Sequence, residues 1–341
     1  MNALTLEQDV VLDVLSHMTG VPKSSIRAAG PVGAGIDEIE AHLRGTLIAQ
    51  ETAIGCIVQS LKSRLLRGAE ERPVFCGLFV GPSGVGKTEA ALQLAEAFAG
   101  TRDALVRVDG SEYREPHTVA RLVGSPPGYV GYGEGGYLTE AVRRRRRCVV
   151  LFDEVEKAAA EVQNTLLQVM SAGHLTDATG RRVDFRHAVL ILTSNIGNRE
   201  ATAAATVGGE MDHDLYEQKI RLAVREQFPL ELLGRLDAVV VFRHLDRAAL
   251  CEIVTLKVRE LAHRLKGVAG IELSEAACTA LAEEAYQPDA GAREVDRVLR
   301  ERVDRGFLAL MERGSLATQT EQVVAIDVDP DGNFTFRTPA E

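Results

Sequence analysis

The octapeptide Gly81-Pro82-Ser83-Gly84-Val85-Gly86-Lys87-Thr88 follows an apolar run, Phe75–Val80, and precedes a stretch of helical periodicity, Glu89–Ala99. Glycines at these spacings let successive backbone N–H groups wrap an anion, and the helix N-terminus beyond them adds positive potential. Lys87 then reaches β/γ-phosphates and Thr88 can ligate Mg2+, so the segment predicts a site for ATP and Mg2+. A second apolar run, Cys148-Val149-Val150-Leu151-Phe152, ends in the acids Asp153 and Glu154. Such a pair can simply cap the next helix. Beside a phosphate loop it has a sharper reading, with Asp153 holding Mg2+ through its waters and Glu154 polarising the attacking water. A third run, Ile191-Leu192-Thr193-Ser194-Asn195, closes on a polar cluster. It reads either as a cap or turn, or as the carboxyl end of a parallel strand that sets Asn195 near the γ-phosphate.

These groups need a scaffold that brings strand ends to one edge. The runs Phe75–Val80, Leu105–Val108, Cys148–Phe152, Ala188–Leu192 and Val239–Phe242 read as buried strands, and they alternate with helix-period segments such as Glu89–Ala99 and Glu161–Met170. That alternation predicts an α/β domain, a P-loop fold with a parallel five-stranded sheet flanked by helices. After Phe242 helical patterns dominate (Arg247–Leu265, Glu275–Glu284, Arg293–Met311), and two short strand-like runs, Gln322–Val328 and Asn333–Arg337, surround a turn. A small C-terminal α+β domain is expected there. The division is thus 1–35 for an N-terminal segment and linker, 36–243 for the large α/β domain and 244–341 for the small one.

Composition bounds the function. With 341 residues, 39 Lys+Arg against 49 Asp+Glu (net −10), 45% hydrophobic and 26% charged, the chain is a soluble folded protein of about two domains. A peptide hormone is excluded, and the composition argues against general disorder and against a nucleic-acid coat, leaving room for a local basic strip. Five cysteines without metal-ligand spacing predict reduced thiols in a cytosol, serving as small core residues. The N-terminus lacks the basic and apolar regions of a secretory signal, and the longest uncharged stretch, Pro73–Gly86, is too short for a membrane helix. A cytoplasmic protein with no membrane partner is expected. The arginine run Arg143–Arg147 reads as a solvated helix end or as a nucleic-acid patch, and carries no functional weight.

Taken in order, several motifs resemble the AAA+ superfamily, and within it the second ATPase module of ClpB-type Clp unfoldases. They are GPSGVGKTE at 81–89, GSPPGYVGYGEGGYLTEAVRRR at 124–145, LFDEVEKA at 151–158, GHLTDATGRRVDF at 173–185, LTSNIG at 192–197, LGRLDAVVVF at 233–242 and GAREV at 291–295. The resemblance runs from about Val14 to Arg337. It implies the roles given above for Lys87, Thr88, Asp153 and Glu154, and makes Asn195 the sensor-1 residue. It also implies that Arg235 is a finger reaching into a neighbouring subunit's ATP and that Arg293 is the sensor-2 residue, although either arginine alone reads as a surface or ion-pairing group. Ile48, in Leu47-Ile48-Ala49-Gln50, matches the adenine-contacting element, with Ala49 where the family usually has glycine. Tyr129 and Val130 match the central pore loop that grips polypeptide, against the plainer reading of a surface loop. His174–Gly180 matches a second pore loop.

A finger acting in trans implies a homo-oligomeric ring, most naturally a hexamer, and the resemblance makes unfolded or aggregated proteins its clients. The implied function is an ATP-hydrolysing unfoldase or disaggregase. The alternatives are a dedicated remodeller, such as a type VI secretion sheath-disassembling ATPase, and a DNA-directed loader or helicase, which Tyr129 and the acidic balance disfavour. Three departures leave the subfamily open: no tryptophan precedes Thr19-Gly20-Val21-Pro22, Ala159-Ala160 replaces a His-Pro pair, and Gly234 precedes the finger as in ClpV-type ATPases. Asn198–Phe228 holds no Ile-Gly-[Phe/Leu] tripeptide, so no ClpP-like peptidase partner is expected. One module where ClpB-type relatives carry two leaves an excised half or a single-ring remodeller as the expectation.

Overall fold

Runs of β-branched and aromatic residues without polar members are stable as strands only where both faces are covered. In the computed structural model, which describes residues 34–67, 71–125, 127–129, 133, 135–207, 210–265, 268–287, 291–313 and 322–338, these runs form the centre of the first of two units. One unit comprises the chain up to Gly81 with Gly86–Phe242, and the other Pro82–Val85 with the chain from Arg243 onward.

The first unit holds, in chain order, β1 (Phe75–Val80), β2 (Leu105–Asp109), β3 (Val149–Asp153), β4 (His174–Thr176), β5 (Arg182–Asp184), β6 (Val189–Ser194), β7 (Thr206–Val207), β8 (Glu210–Met211) and β9 (Ala238–Val241). Its helices are α1 (Ala34–Thr46), α2 (Glu51–Leu66), α3 (Lys87–Ala99), α4 (Val119–Val123), α5 (Tyr137–Arg144), α6 (Ala160–Ala172), α7 (Asn198–Ala205), α8 (His213–Gln227) and α9 (Leu230–Leu233). The main sheet is five-stranded in the order β2-β3-β6-β1-β9, with every neighbouring pair parallel. β1, β3 and β6 are buried along their whole length, whereas β2, at an edge, exposes Arg107 between buried valines. Parallel pairing forces a crossover after each strand and sends all five carboxyl ends to one side, which is why β1, β3 and β6 deliver their terminal polar residues together. Alanines on the buried face of α3 (Ala90, Ala91, Ala95) let that helix approach the sheet closely.

The second unit contains α10 (Arg247–Ala262), β10 (Val268–Leu273), α11 (Glu275–Ala285), α12 (Arg293–Val298), a π-helical turn at Leu299–Asp304, α13 (Arg305–Glu312), β11 (Gln322–Val328) and β12 (Phe334–Arg337). β10 pairs parallel to β11, which pairs antiparallel to β12. Asp246 and Ser274 cap α10 and α11 by accepting from the backbone N–H groups of Ala249 and Ala277.

Three sequence expectations require correction. The small domain carries a third strand, β10, which its glycine-interrupted, weakly apolar sequence conceals. The helix expected over Arg293–Met311 is continuous in direction but passes through the π turn, for which the sequence has no marker. The cysteines are not all reduced thiols: Cys251 and Cys278 form a disulfide between α10 and α11, with Cα atoms 5.6 Å apart across 27 residues of chain. Only the packing of the two helices brings them together, so no sequence spacing announces the pair. Cys76 and Cys148 do behave as small core residues, and burial pushes both thiols up to about 12. The expected N-terminal segment lies, through residue 33, outside the described residues. No helix among the described residues is long and apolar enough to cross a membrane.

Candidate functional site

The chain leaves β1 at Gly81 with φ 149°, where a Cβ would stand 2.6 Å from the carbonyl oxygen of Phe242, so only glycine turns the strand into the loop at this point. The loop closes on Gly86, which begins α3 in the left-handed region with no side chain capping the helix. The dipole of α3 is therefore aimed at the loop with no competing side-chain oxygen. Lys87, the first helical residue, is 7% exposed, and its ammonium donates to the Gly81 carbonyl and to Asn195 Oδ1, both at 2.7 Å. This links the ends of β1 and β6 across the loop.

Asp153 closes β3, and its two oxygens have separate partners. Oδ1 accepts from the Thr193 hydroxyl at 2.5 Å, while Oδ2 lies 2.6 Å from the Arg107 guanidinium and 3.5 Å from Thr88 Oγ1. Glu154 adopts φ 53°, a left-handed conformation rare for a residue with a side chain, and its N–H donates to the same Thr193 hydroxyl at 3.0 Å. Its carboxylate sits 3.5 Å from Asn195 Nδ2 and 2.6 Å from Lys157 Nζ. Thr193 thus orients both acids. Lys87, Thr88, Asp153, Glu154 and Asn195 come together at the carboxyl edge of the sheet. Two hard oxygens, Thr88 Oγ1 and Asp153 Oδ2, at the N-terminal end of α3 fit the Mg2+ of a nucleotide phosphate chain. A carboxylate beside them, with an amide to position it, can polarise a water for attack on phosphorus.

The remaining sequence candidates lie elsewhere. Ile48 is half-buried in the turn after α1, where Ala49 takes φ 56°; that left-handed position explains the glycine of the resembling family. The adjacent Leu47 side chain comes to 4.0 Å from where a Cβ on Gly86 would be, which sets this turn beside the phosphate loop. Arg235 is exposed in the turn between α9 and β9, which Asp237 fixes by accepting from the Cys76 N–H at 2.7 Å. Arg235 is not brought to the Glu154 cluster of its own chain by any hydrogen bond or ion pair among the described residues. Arg293 is exposed at the first turn of α12, and within the second unit Ala292 N–H donates to the carbonyl of Gly84 at 2.9 Å.

Tyr129 is 71% exposed, while Val130 lies outside the described residues. The neck of this loop is narrow: a Cβ on Gly136 would stand 2.1 Å from the Leu122 carbonyl oxygen. The hairpin β4–β5 leans on the same neck, Ala178 N–H donating to the Val123 carbonyl at 3.0 Å. Burial alone would raise the Asp177 carboxyl, but hydrogen bonds from Thr179 and Arg181 hold it below the usual carboxylate range and lock the hairpin tip.

Sequence reasoning missed Arg107 and Lys157, and left Thr193 as one member of a polar cluster. The parallel register, which sets Arg107 beside Leu151 and Thr193 beside Phe79, is the information that was lacking. Residues 72–239 match the family described as AAA domain (Cdc48 subfamily), and residues 245–325 match the C-terminal, D2-small domain of ClpB protein. The chain is 40% identical over 341 residues to the negative regulator of genetic competence ClpC/MecB of Bacillus subtilis (98% of this chain, 41% of the relative). It is 39% identical over 341 residues to the chloroplastic chaperone protein ClpD of Arabidopsis thaliana (97% and 36%). To chaperone protein ClpB 1 of Parasynechococcus marenigrum it is 40% identical over 323 residues (94% and 37%). The chain therefore spans 36–41% of the length of these relatives.

Proposed function

The chain belongs to the AAA+ ATPases of the Clp type, and from that premise we propose that it hydrolyses ATP to pull polypeptide through a ring of identical subunits. We place the large ATPase domain at 36–243 and the small domain at 244–341. In this reading the loop from Gly81 through Gly84 to Gly86, with Pro82, Ser83 and Val85 between, cradles the phosphates. Lys87 neutralises the β/γ charge, and Ile48 contacts the base. Thr88 and Asp153 would hold Mg2+, which would supply charge neutralisation at the γ-phosphate. Glu154 takes a proton from the attacking water while Asn195 orients it, Arg293 senses the nucleotide, and Arg235 completes the site of the next subunit. A hexamer is the assembly this requires.

The observation that carries the polypeptide client is Tyr129, 71% exposed on a pinned neck in the first unit. An amphipathic ring on a glycine mount grips any chain with little sequence preference. That, together with the net charge of −10, favours unfolded or aggregated protein over nucleic acid. Several relatives are named as ATP-binding subunits of a Clp protease, one of them from Staphylococcus saprophyticus. The segment Asn198–Phe228 lacks the docking tripeptide, so this chain is read as working without such a peptidase.

Tyr129→Ala is expected to leave basal ATP turnover within about twofold of wild type while abolishing the unfolding of a tagged fluorescent protein, because the ring touches the client and not the phosphates. Normal unfolding by this variant would remove the pore-loop role. Binding of unfolded casein against single-stranded DNA, each at matched salt, decides the client class.

A further inference from the structure

Asp153 offers two oxygens, and one is already committed to the Thr193 hydroxyl at 2.5 Å. The other, Oδ2, is the one that faces Thr88 Oγ1 at 3.5 Å, and the Arg107 guanidinium sits on it at 2.6 Å. A cation shared by Thr88 and Asp153, directly or through its waters, is thus drawn to the oxygen that Arg107 holds. The two partners differ in freedom: the Asp153 side chain is 11% exposed and fixed, whereas that of Arg107 is 53% exposed and springs from β2, at the edge of the five-stranded sheet. A long half-exposed side chain can swing away without disturbing the sheet. Its backbone stays put, because the Arg107 carbonyl accepts from the Tyr137 hydroxyl at 3.1 Å, at the first residue of the helix that follows the Tyr129 loop.

We propose that Arg107 is a positioning residue, a tethered counter-cation that holds the Asp153 carboxylate until Mg2+ displaces it, and that it thereby sets the Mg2+ concentration needed for nucleotide loading. The proposal rests on the ATP reading of this site. A buried carboxylate facing a phosphate loop is repelled by the incoming polyanion unless a cation accompanies it, and Arg107 supplies that cation while no metal is present. The guanidinium then competes directly with the metal for Oδ2.

The test is a titration of the purified chain and a fluorescent ATP analogue with MgCl2, starting from EDTA and read by nucleotide fluorescence rather than by turnover. Arg107→Gln is expected to lower the half-saturating Mg2+ concentration by about fivefold, the scale of a partly exposed ion pair. Arg107→Lys, which keeps the charge but loses the planar fork, should fall between that variant and wild type. An unchanged or higher Mg2+ requirement in Arg107→Gln overturns the proposal. If that variant loses its melting transition, the lysine variant alone decides, and a requirement equal to wild type overturns it. Failure of the wild-type chain to bind the analogue at any Mg2+ concentration would instead sink the nucleotide reading beneath it.

Discussion

Glu154 is held in a left-handed conformation at φ 53°, a strain of order 1–3 kcal/mol that persists only where surrounding contacts impose it. Thr193 imposes it by fixing the Glu154 N–H, and the result is a carboxylate aimed at Asn195 and Lys157. Glu154→Gln preserves the shape and the contact with Asn195 but removes the carboxylate we propose as the base. Nucleotide affinity should stay within about threefold while turnover falls by about 10²–10⁴, the range of a general base. Parallel binding and hydrolysis assays check this, and turnover near wild type would take Glu154 out of the mechanism. Lys87, Thr88, Asp153 and Glu154 were legible in the sequence because each lies in a contiguous motif next to its strand. Thr193 and Arg107 were not, because their partner Asp153 sits on another strand and a single sequence carries no register; Lys157 lies only three residues from Glu154, and its contact depends on the turn after β3.

Among elements, the neck below Tyr129 shows how backbone packing brings the two ends of a loop together. Gly136 lies against the Leu122 carbonyl, and the N–H of Gly136 donates to Thr139 Oγ1 at 3.2 Å to start α5. An alanine at 136 meets backbone atoms that cannot rotate away, so Gly136→Ala should destabilise the first unit by about 1–3 kcal/mol, as overpacking does. A lower urea midpoint at unchanged slope would confirm the cost, and an unchanged midpoint would show that the neck yields. The alternation of apolar runs and helical periods made the five strands and their parallel pairing readable, since consecutive parallel strands demand intervening crossovers. The order β2-β3-β6-β1-β9 was not readable, because β6 enters between β1 and β3 through long-range pairing. Nor were β10 and the Cys251–Cys278 bridge, whose signals lie in tertiary packing rather than in local pattern.

At the scale of the assembly, the exposed Arg235 makes no hydrogen bond or ion pair with Glu154 or Asn195 of its own chain among the described residues, which is the placement a residue completing a neighbour's site would have. A heterologous ring makes this testable, since each site is then built from two subunits. Arg235→Ala leaves a chain with an intact Glu154 and no finger, whereas Glu154→Gln leaves an intact finger and no base. Each alone should turn over ATP poorly. Mixed in equal amounts under exchange, a site works where an Arg235→Ala subunit meets the finger face of a Glu154→Gln neighbour. Random assembly puts one half times one half, or about a quarter, of sites in that state, provided the interface is head-to-tail. Recovery of about a quarter of wild-type turnover on mixing is therefore expected. Absence of recovery, with ring formation verified by sedimentation, would show that Arg235 acts only within its own chain and would leave the ring without a catalytic reason to exist.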